Sequence, residues 1–177
     1  MKSKETRNKG DGFSPPVRGL PPGDYPFLEI LPESLSSPAL QLVGTEKFPA
    51  GRVLERARVR VAPVPGFCWI DETVPIIVLS LNYYRDGNDL DLYLDLLHEV
   101  THIRQLMEGR DIWDETLPYH HRPTEIEGFA VAVAEGRRLG LNDREIREHL
   151  SNPWMSVGEV DELIALIDNF LGLRIMG

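Results

Sequence analysis

The chain is expected to fold as an α+β domain in which a small, mostly antiparallel sheet packs on one long helix. Three observations carry that expectation. Short alternating or apolar stretches lie in the first half, at 56–61, 67–70 and 76–81. A long amphipathic stretch follows at 90–108, and helical patterns with their own cap signals fill the chain from 124 onward. Strands gathered first and helices gathered later argue for segregated layers rather than alternating βαβ units.

The elements follow in order. Residues 1–26 are rich in Lys, Gly and Pro, which predicts a flexible tail and a single folded domain over 27–177. Pro32 and Pro38 break any long helix between Phe27 and Leu42. From Arg52 to Val61, Val53, Ala57, Val59 and Val61 partly alternate with arginines, and the last five or six residues read as a half-exposed strand. Phe67-Cys68-Trp69-Ile70 and Ile76-Ile77-Val78-Leu79-Ser80-Leu81 read as a hairpin turned at Asp71-Glu72-Thr73. Asn82-Tyr83-Tyr84 then leads into a polar loop, 85–89. The main helix is expected from Leu90 to Glu108, with Asp89 and Asp91 at its positive end and Gly109 as its stop. Leu92, Leu96, Val100, Ile103 and Met107 share one face of it. A loop at 110–122 precedes a helix over 124–138 that is apolar nearly all round after Glu127. Asn142 with Glu145, and Ser156 with Glu159, have capping-box spacing for two final helices at 143–150 and 157–171.

Composition narrows the class. At 177 residues the chain has room for one domain with a real core, and 42% apolar with 27% charged residues is ordinary for a soluble globular protein. A net charge of −9 argues against a nucleic-acid partner, because phosphate binding needs clustered Lys and Arg. Arg52, Arg56, Arg58 and Arg60 do gather, but Glu55 interrupts them, and a solvated face is the simpler reading. The single cysteine excludes a disulfide framework, and Cys68 is expected to be free and buried beside Trp69. Trp113 and Trp154 are expected in the core or a cleft wall. The N-terminal residues lack an apolar h-region and no apolar run approaches a membrane span. A cytoplasmic location without a membrane partner is therefore expected.

One stretch carries chemistry: His98-Glu99-Val100-Thr101-His102. Residues four apart share a helix face, so His98 and His102 can hold one ion. Glu99 lies about 100° round the helix, within reach of a water on that ion. Two imidazoles leave Zn²⁺ short of a third protein ligand and keep room for water, which is the arrangement of a metal-assisted hydrolase. No histidine stands six residues beyond His102. The third ligand is open between Glu125 and Glu127, which lie about 200° apart on a helix so that only one can face the ion. His120 or His121 of the preceding loop is a further candidate. Thr124 and Glu127 have Ncap–N3 spacing, which would occupy Glu127 in a capping box and favours Glu125. Tyr119 could donate to a developing oxyanion; packing at the start of a helix is its plainer role. A bland reading of the whole stretch is an amphipathic surface helix with no metal.

The phrase His98-Glu99-Val100-Thr101-His102 followed by Glu125-x-Glu127-Gly128-x-Ala130 resembles the gluzincin branch of the zincin metallopeptidases, at the size of minimal gluzincins and the ImmA/IrrE-type proteases. His98 to Gln105 also resembles the HExxHxxQ helix of small bacterial zincin-like proteins. The resemblance covers about residues 75–137. It implies a zincin-like fold, a zinc ion held by His98, His102 and a glutamate of the next helix, and Glu99 as general base in peptide hydrolysis. The family's Glu-x-Glu-Ala-Asp form points to Glu125 as ligand; its Asn-Glu-Gly-Phe-Ala form points to Glu127. Phe129 or Val131 stands where many gluzincins carry an aspartate four residues beyond the ligand. The resemblance also implies that strand 75–81 is a cleft-side edge that binds extended peptide. The expected partner is thus a peptide or protein substrate. The alternative is a catalytically inactive zinc-binding protein that regulates or binds others through the same fold.

Overall fold

The computed structural model describes residues 13–33, 37, 38 and 40–175. Four strands form one mixed sheet: β1 (Gly23–Pro26), β2 (Arg58–Ala62), β3 (Cys68–Ile70) and β4 (Ile77–Ser80), in the order β1-β2-β4-β3. β1 pairs antiparallel with β2, β2 parallel with β4, and β4 antiparallel with β3. The class is α+β, as expected, and two of the three pairings are antiparallel. The β3–β4 hairpin is also as expected, with Trp69 opposite Val78.

The edge does not lie where the sequence placed it. β4 is paired on both sides and every one of its residues is buried. A strand covered on both faces reads as an unbroken apolar run, and Ile76-Ile77-Val78-Leu79 is such a run. The edge strands are instead β1 and β3, and Trp69 of β3 is 36% exposed.

The tail boundary at 26 is corrected as well. Residues 23–26 are β1, with Tyr25 opposite Val59. Val17 donates its backbone N–H to Ile30, and the Arg18 guanidinium binds Asp89 and the carbonyl of Gly87. The prolines that argued for a tail fix an extended path, and its neighbours hold it to the body. Residues 1–12 lie outside the described residues.

Five helices, α1 to α5, connect and cover these strands. α1 (Phe27–Ile30), α2 (Leu40–Val43) and α3 (Ala50–Arg56) precede or flank β2. α3 takes the start of the stretch that seemed to alternate from Arg52. Arg52 and Arg56 are therefore helical, and only 58–62 is strand. α4 (Leu81–Asp86) takes up the link 82–84 and the start of the expected 85–89 loop. α5 (Asp89–Met107) is the motif helix. Asn88 caps it, its side-chain oxygen accepting from the N–H groups of Leu90 and Asp91 at 2.8 and 3.2 Å. Gly109, at φ 76°, stops it in the left-handed conformation that glycine adopts without strain.

Leu92, Leu96, Val100 and Ile103 of α5 join Val59, Val61, Ile77 and Leu79 of the sheet in one apolar cluster. Burying each such side chain contributes about 1.5–3 kcal/mol. The far side of α5 is not solvated. It is covered by α6 (Pro123–Arg138), which shares Val131 and Ala132 with the first cluster. Its Phe129, Ala130 and Val133 enter a second cluster with α7 (Asp143–Leu150) and α8 (Val157–Ile175). α5 and α6 therefore face each other across a buried polar seam, and the motif residues lie in that seam. No helix among the described residues is long and apolar enough to cross a membrane.

Candidate metal centre

His98 and His102, one turn apart on α5, turn their Nε2 atoms to within 2.8 Å of each other. Glu125, in the first turn of α6, approaches from across the seam. Its Oε2 is 3.3 Å from His98 Nε2 and its Oε1 is 3.6 Å from His102 Nε2. All three residues are buried. A tetrahedral ion with donors about 2.0–2.1 Å away holds them roughly 3.3 Å apart, so the spacing suits one ion. Glu125 Oε2 is buried without a hydrogen-bond partner, which is a costly state for a carboxylate oxygen unless a cation satisfies it. His98, His102 and Glu125 could therefore hold a metal ion.

Glu127, the alternative ligand, is excluded by its direction. It faces the other way round α6, where Arg104 Nη2 meets its Oε1 at 2.7 Å, and Arg110 and Gln105 bind its Oε2. It is not in a capping box either. α6 begins one residue earlier than that reading required, with Pro123 at its first position, Arg122 at the cap and no side-chain cap bond. His120 and His121 are also excluded as the third ligand, because both turn to Glu162 of α8.

Two residues hold the histidines in place. Gln105, one turn beyond His102, donates its amide N–H groups to the carbonyl of Thr124 and to Glu127. Its oxygen is thereby aimed at His102 Nδ1, 2.7 Å away. Nδ1 must then be the protonated nitrogen, and the Nε2 lone pair is left for an ion. Gln105 thereby fixes the orientation of the His102 ring. Gln105→Leu should weaken divalent-metal binding about 10–100-fold, as read with added Zn²⁺ against a chromophoric chelator; unchanged affinity would refute the role. Gly128 makes room on the other side: a Cβ there would come within 3.0 Å of the His98 ring. Phe129 covers the same ring, centroid to centroid 4.2 Å.

The site opens at one end into a cleft of about 1840 Å³. His98, Glu99 and Tyr119 line it, together with Cys68 and Trp69 of the β3 edge and the exposed Trp154. Trp154 thus meets the cleft-wall expectation. Trp113 meets neither expectation: it is 37% exposed and does not line the cleft. Burial lifts the Glu99 carboxyl above its usual range, the Glu125 and Asp95 carboxylates add to the lift, and His98 and His102 oppose it without cancelling it. A carboxylate raised in this way accepts a proton more readily than a free one, as a general base requires. Burial, with the charges of Glu125 and Glu99, also keeps the Tyr119 hydroxyl protonated, so it can only donate to a developing negative charge. Cys68 is free, and burial holds its thiol neutral; it is not among the converging donors.

A second polar group in the cleft left no signal in the sequence. Tyr83 donates to Asp95 at 2.5 Å, and His149 of α7 approaches Asp91 at 3.3 Å and Asp95 at 3.8 Å. The three elements involved meet only in the folded chain, so no local spacing marks them.

Metal removal has a pH signature. Burial disfavours a charge on His102, but the hydrogen bond and charge of Glu125 outweigh it and raise the imidazole to about 9. Its ordinary value is about 6.5. The stabilisation is complete below 6.5 and is lost as pH rises through 9. Glu125, held well below its usual range by the two histidines against the effect of burial, adds stability above about 4.5 and loses it as pH falls. The chelator-treated protein should therefore melt at a lower temperature at pH 9 than at pH 6.5. An ion held there would displace the proton and should flatten that slope. A chelated protein whose melting temperature is flat over this window would rule out the His102–Glu125 pair.

No family model, curated protein or solved structure matches this chain.

Proposed function

We propose that the protein is a zinc-dependent, zincin-like metallopeptidase that hydrolyses peptide bonds. The observation that carries this reading is the convergence of His98, His102 and Glu125 at the wall of an open cleft, with Glu99 beside them. Two imidazoles and one carboxylate suit zinc and leave a coordination position unfilled by protein. Bound there, zinc would supply an acidified water and polarise the scissile carbonyl.

The chain's own residues do the rest. Glu99 takes the proton of the attacking water and later gives it to the leaving amine. Its raised proton affinity serves both transfers, since it can hold the proton between them. Tyr119 donates to the carbonyl oxygen as negative charge develops on it. Gln105 keeps His102 in the ligating tautomer throughout. The β3 edge turns the backbone groups of Cys68 and Ile70 away from β4, and beside them an extended substrate can lie as an added strand.

The test is a peptide-library digest with the untagged protein, with and without chelator. Cleavage that stops with chelator and returns with zinc is the expected result. A zinc-loaded protein that cleaves no peptide would overturn the reading and leave a metal-holding protein with a binding role.

A further inference from the structure

The 3₁₀ turn Tyr119–His121 carries two adjacent histidines that both face α8. Neighbours on such a turn are about 120° apart and usually point in different directions. Here the two rings sit edge to face with centroids 4.4 Å apart. His120 Nε2 is 3.3 Å from Glu162 Oε2, and His121 Nε2 is 2.9 Å from Glu162 Oε1. His121 Nε2 is itself buried and, despite that closeness, makes no aligned hydrogen bond. One donor atom from each of the three residues falls within 4.8 Å of the others. His120 has a further carboxylate near its remaining nitrogen, with Glu159 Oε1 3.8 Å from Nδ1. Glu159 is in turn fixed by the backbone and hydroxyl of Ser156, both 2.7 Å from its Oε2. A carboxylate behind a histidine's second nitrogen is how metal-ligating imidazoles are commonly oriented.

We propose that His120, His121 and Glu162 form a second divalent-metal site that ties the 119–121 turn to α8. The donor set of two imidazoles and one carboxylate favours zinc-like ions over calcium or magnesium, which take oxygen ligands. Glu162 lies at the surface, so water can complete the coordination. The site is separate from the His98–His102–Glu125 group and does not depend on the peptidase reading. Its consequence is local: an ion here pins the turn that presents Tyr119 to the cleft.

The experiment titrates Zn²⁺ into the untagged, metal-stripped full chain against a chromophoric competitor. The wild-type protein and the Glu162→Gln and His121→Ala variants are compared. Glu162 and His121 are both at least partly exposed, so neither change threatens the fold, which circular dichroism would check. The expected result is two equivalents for the wild type and one for each variant. One equivalent for the wild type and none for the variants would still establish this site and would remove the other. One equivalent in all three proteins, or two in all three, overturns the proposal and leaves the cluster as an ion-pair network.

Discussion

Glu99→Gln should leave zinc bound at full occupancy while peptide hydrolysis falls by about 10²–10⁴-fold, the range that a positioned general base contributes. Glutamine matches glutamate in shape, so the α5–α6 seam keeps its packing. Glu99 is not one of the converging donors, so the metal set of His98, His102 and Glu125 is intact. What disappears is the ability to accept a proton in a place where burial had raised the carboxyl's affinity for one. The variant should also lose whatever pH dependence of kcat Glu99 imposes on the wild type. Elemental analysis together with single-turnover cleavage of a library-derived peptide checks both halves. Wild-type activity in the variant would refute the role of Glu99, and loss of zinc would show that it supports the metal group itself.

The second large effect concerns the neighbouring glutamate and runs the other way. Glu127→Ala should cost about 3–5 kcal/mol of folding stability, the usual penalty for removing one partner of a buried ion pair. Arg104 is among the most buried side chains of the molecule, at 1% exposure, and its guanidinium is held by Glu108 and Glu127. Without Glu127 that charge keeps only one carboxylate, and Arg110 and Gln105 each lose a partner. Zinc should still bind to the folded fraction of this variant, because His98, His102 and Glu125 remain, with affinity lowered only through the loosened Gln105. Glu125→Ala should instead lose zinc binding, and its metal-free form should lose the stabilisation that the His102–Glu125 pair gives below pH 9. Urea titration and zinc competition on the two variants give four readings. Loss of zinc in Glu127→Ala, with retention in Glu125→Ala, would reverse the assignment.

Those paired outcomes mark the limit of what a linear chain can specify. A spacing of two residues on a helix puts Glu125 and Glu127 about 200° apart. That forces one to face the histidines and the other to turn away, without saying which. The choice depends on how α6 is rotated against α5, and Arg104 and Arg110 set that rotation by claiming Glu127. Neither arginine has a spacing that points to α6. The same holds for His120 and His121, which the motif made candidates for the first site; α8 claims them through Glu162.

By itself the sequence determined what depends on local geometry. The α5 helix, its stop at Gly109, the β3–β4 hairpin and the pairing of His98 with His102 all follow from periods of 3.6 or 2 and from cap and turn residues. It also contained the fact that β4 is interior, since Ile76 to Leu79 shows no alternation, although the resemblance to a family pointed to an edge there. Only the tertiary structure decided which strands are the edges, that residues 23–26 belong to the sheet, and which carboxylate joins the two histidines. Each of these is settled by contacts between residues far apart in the chain, where side-chain spacing along one element has no bearing and the packing of one element on another does.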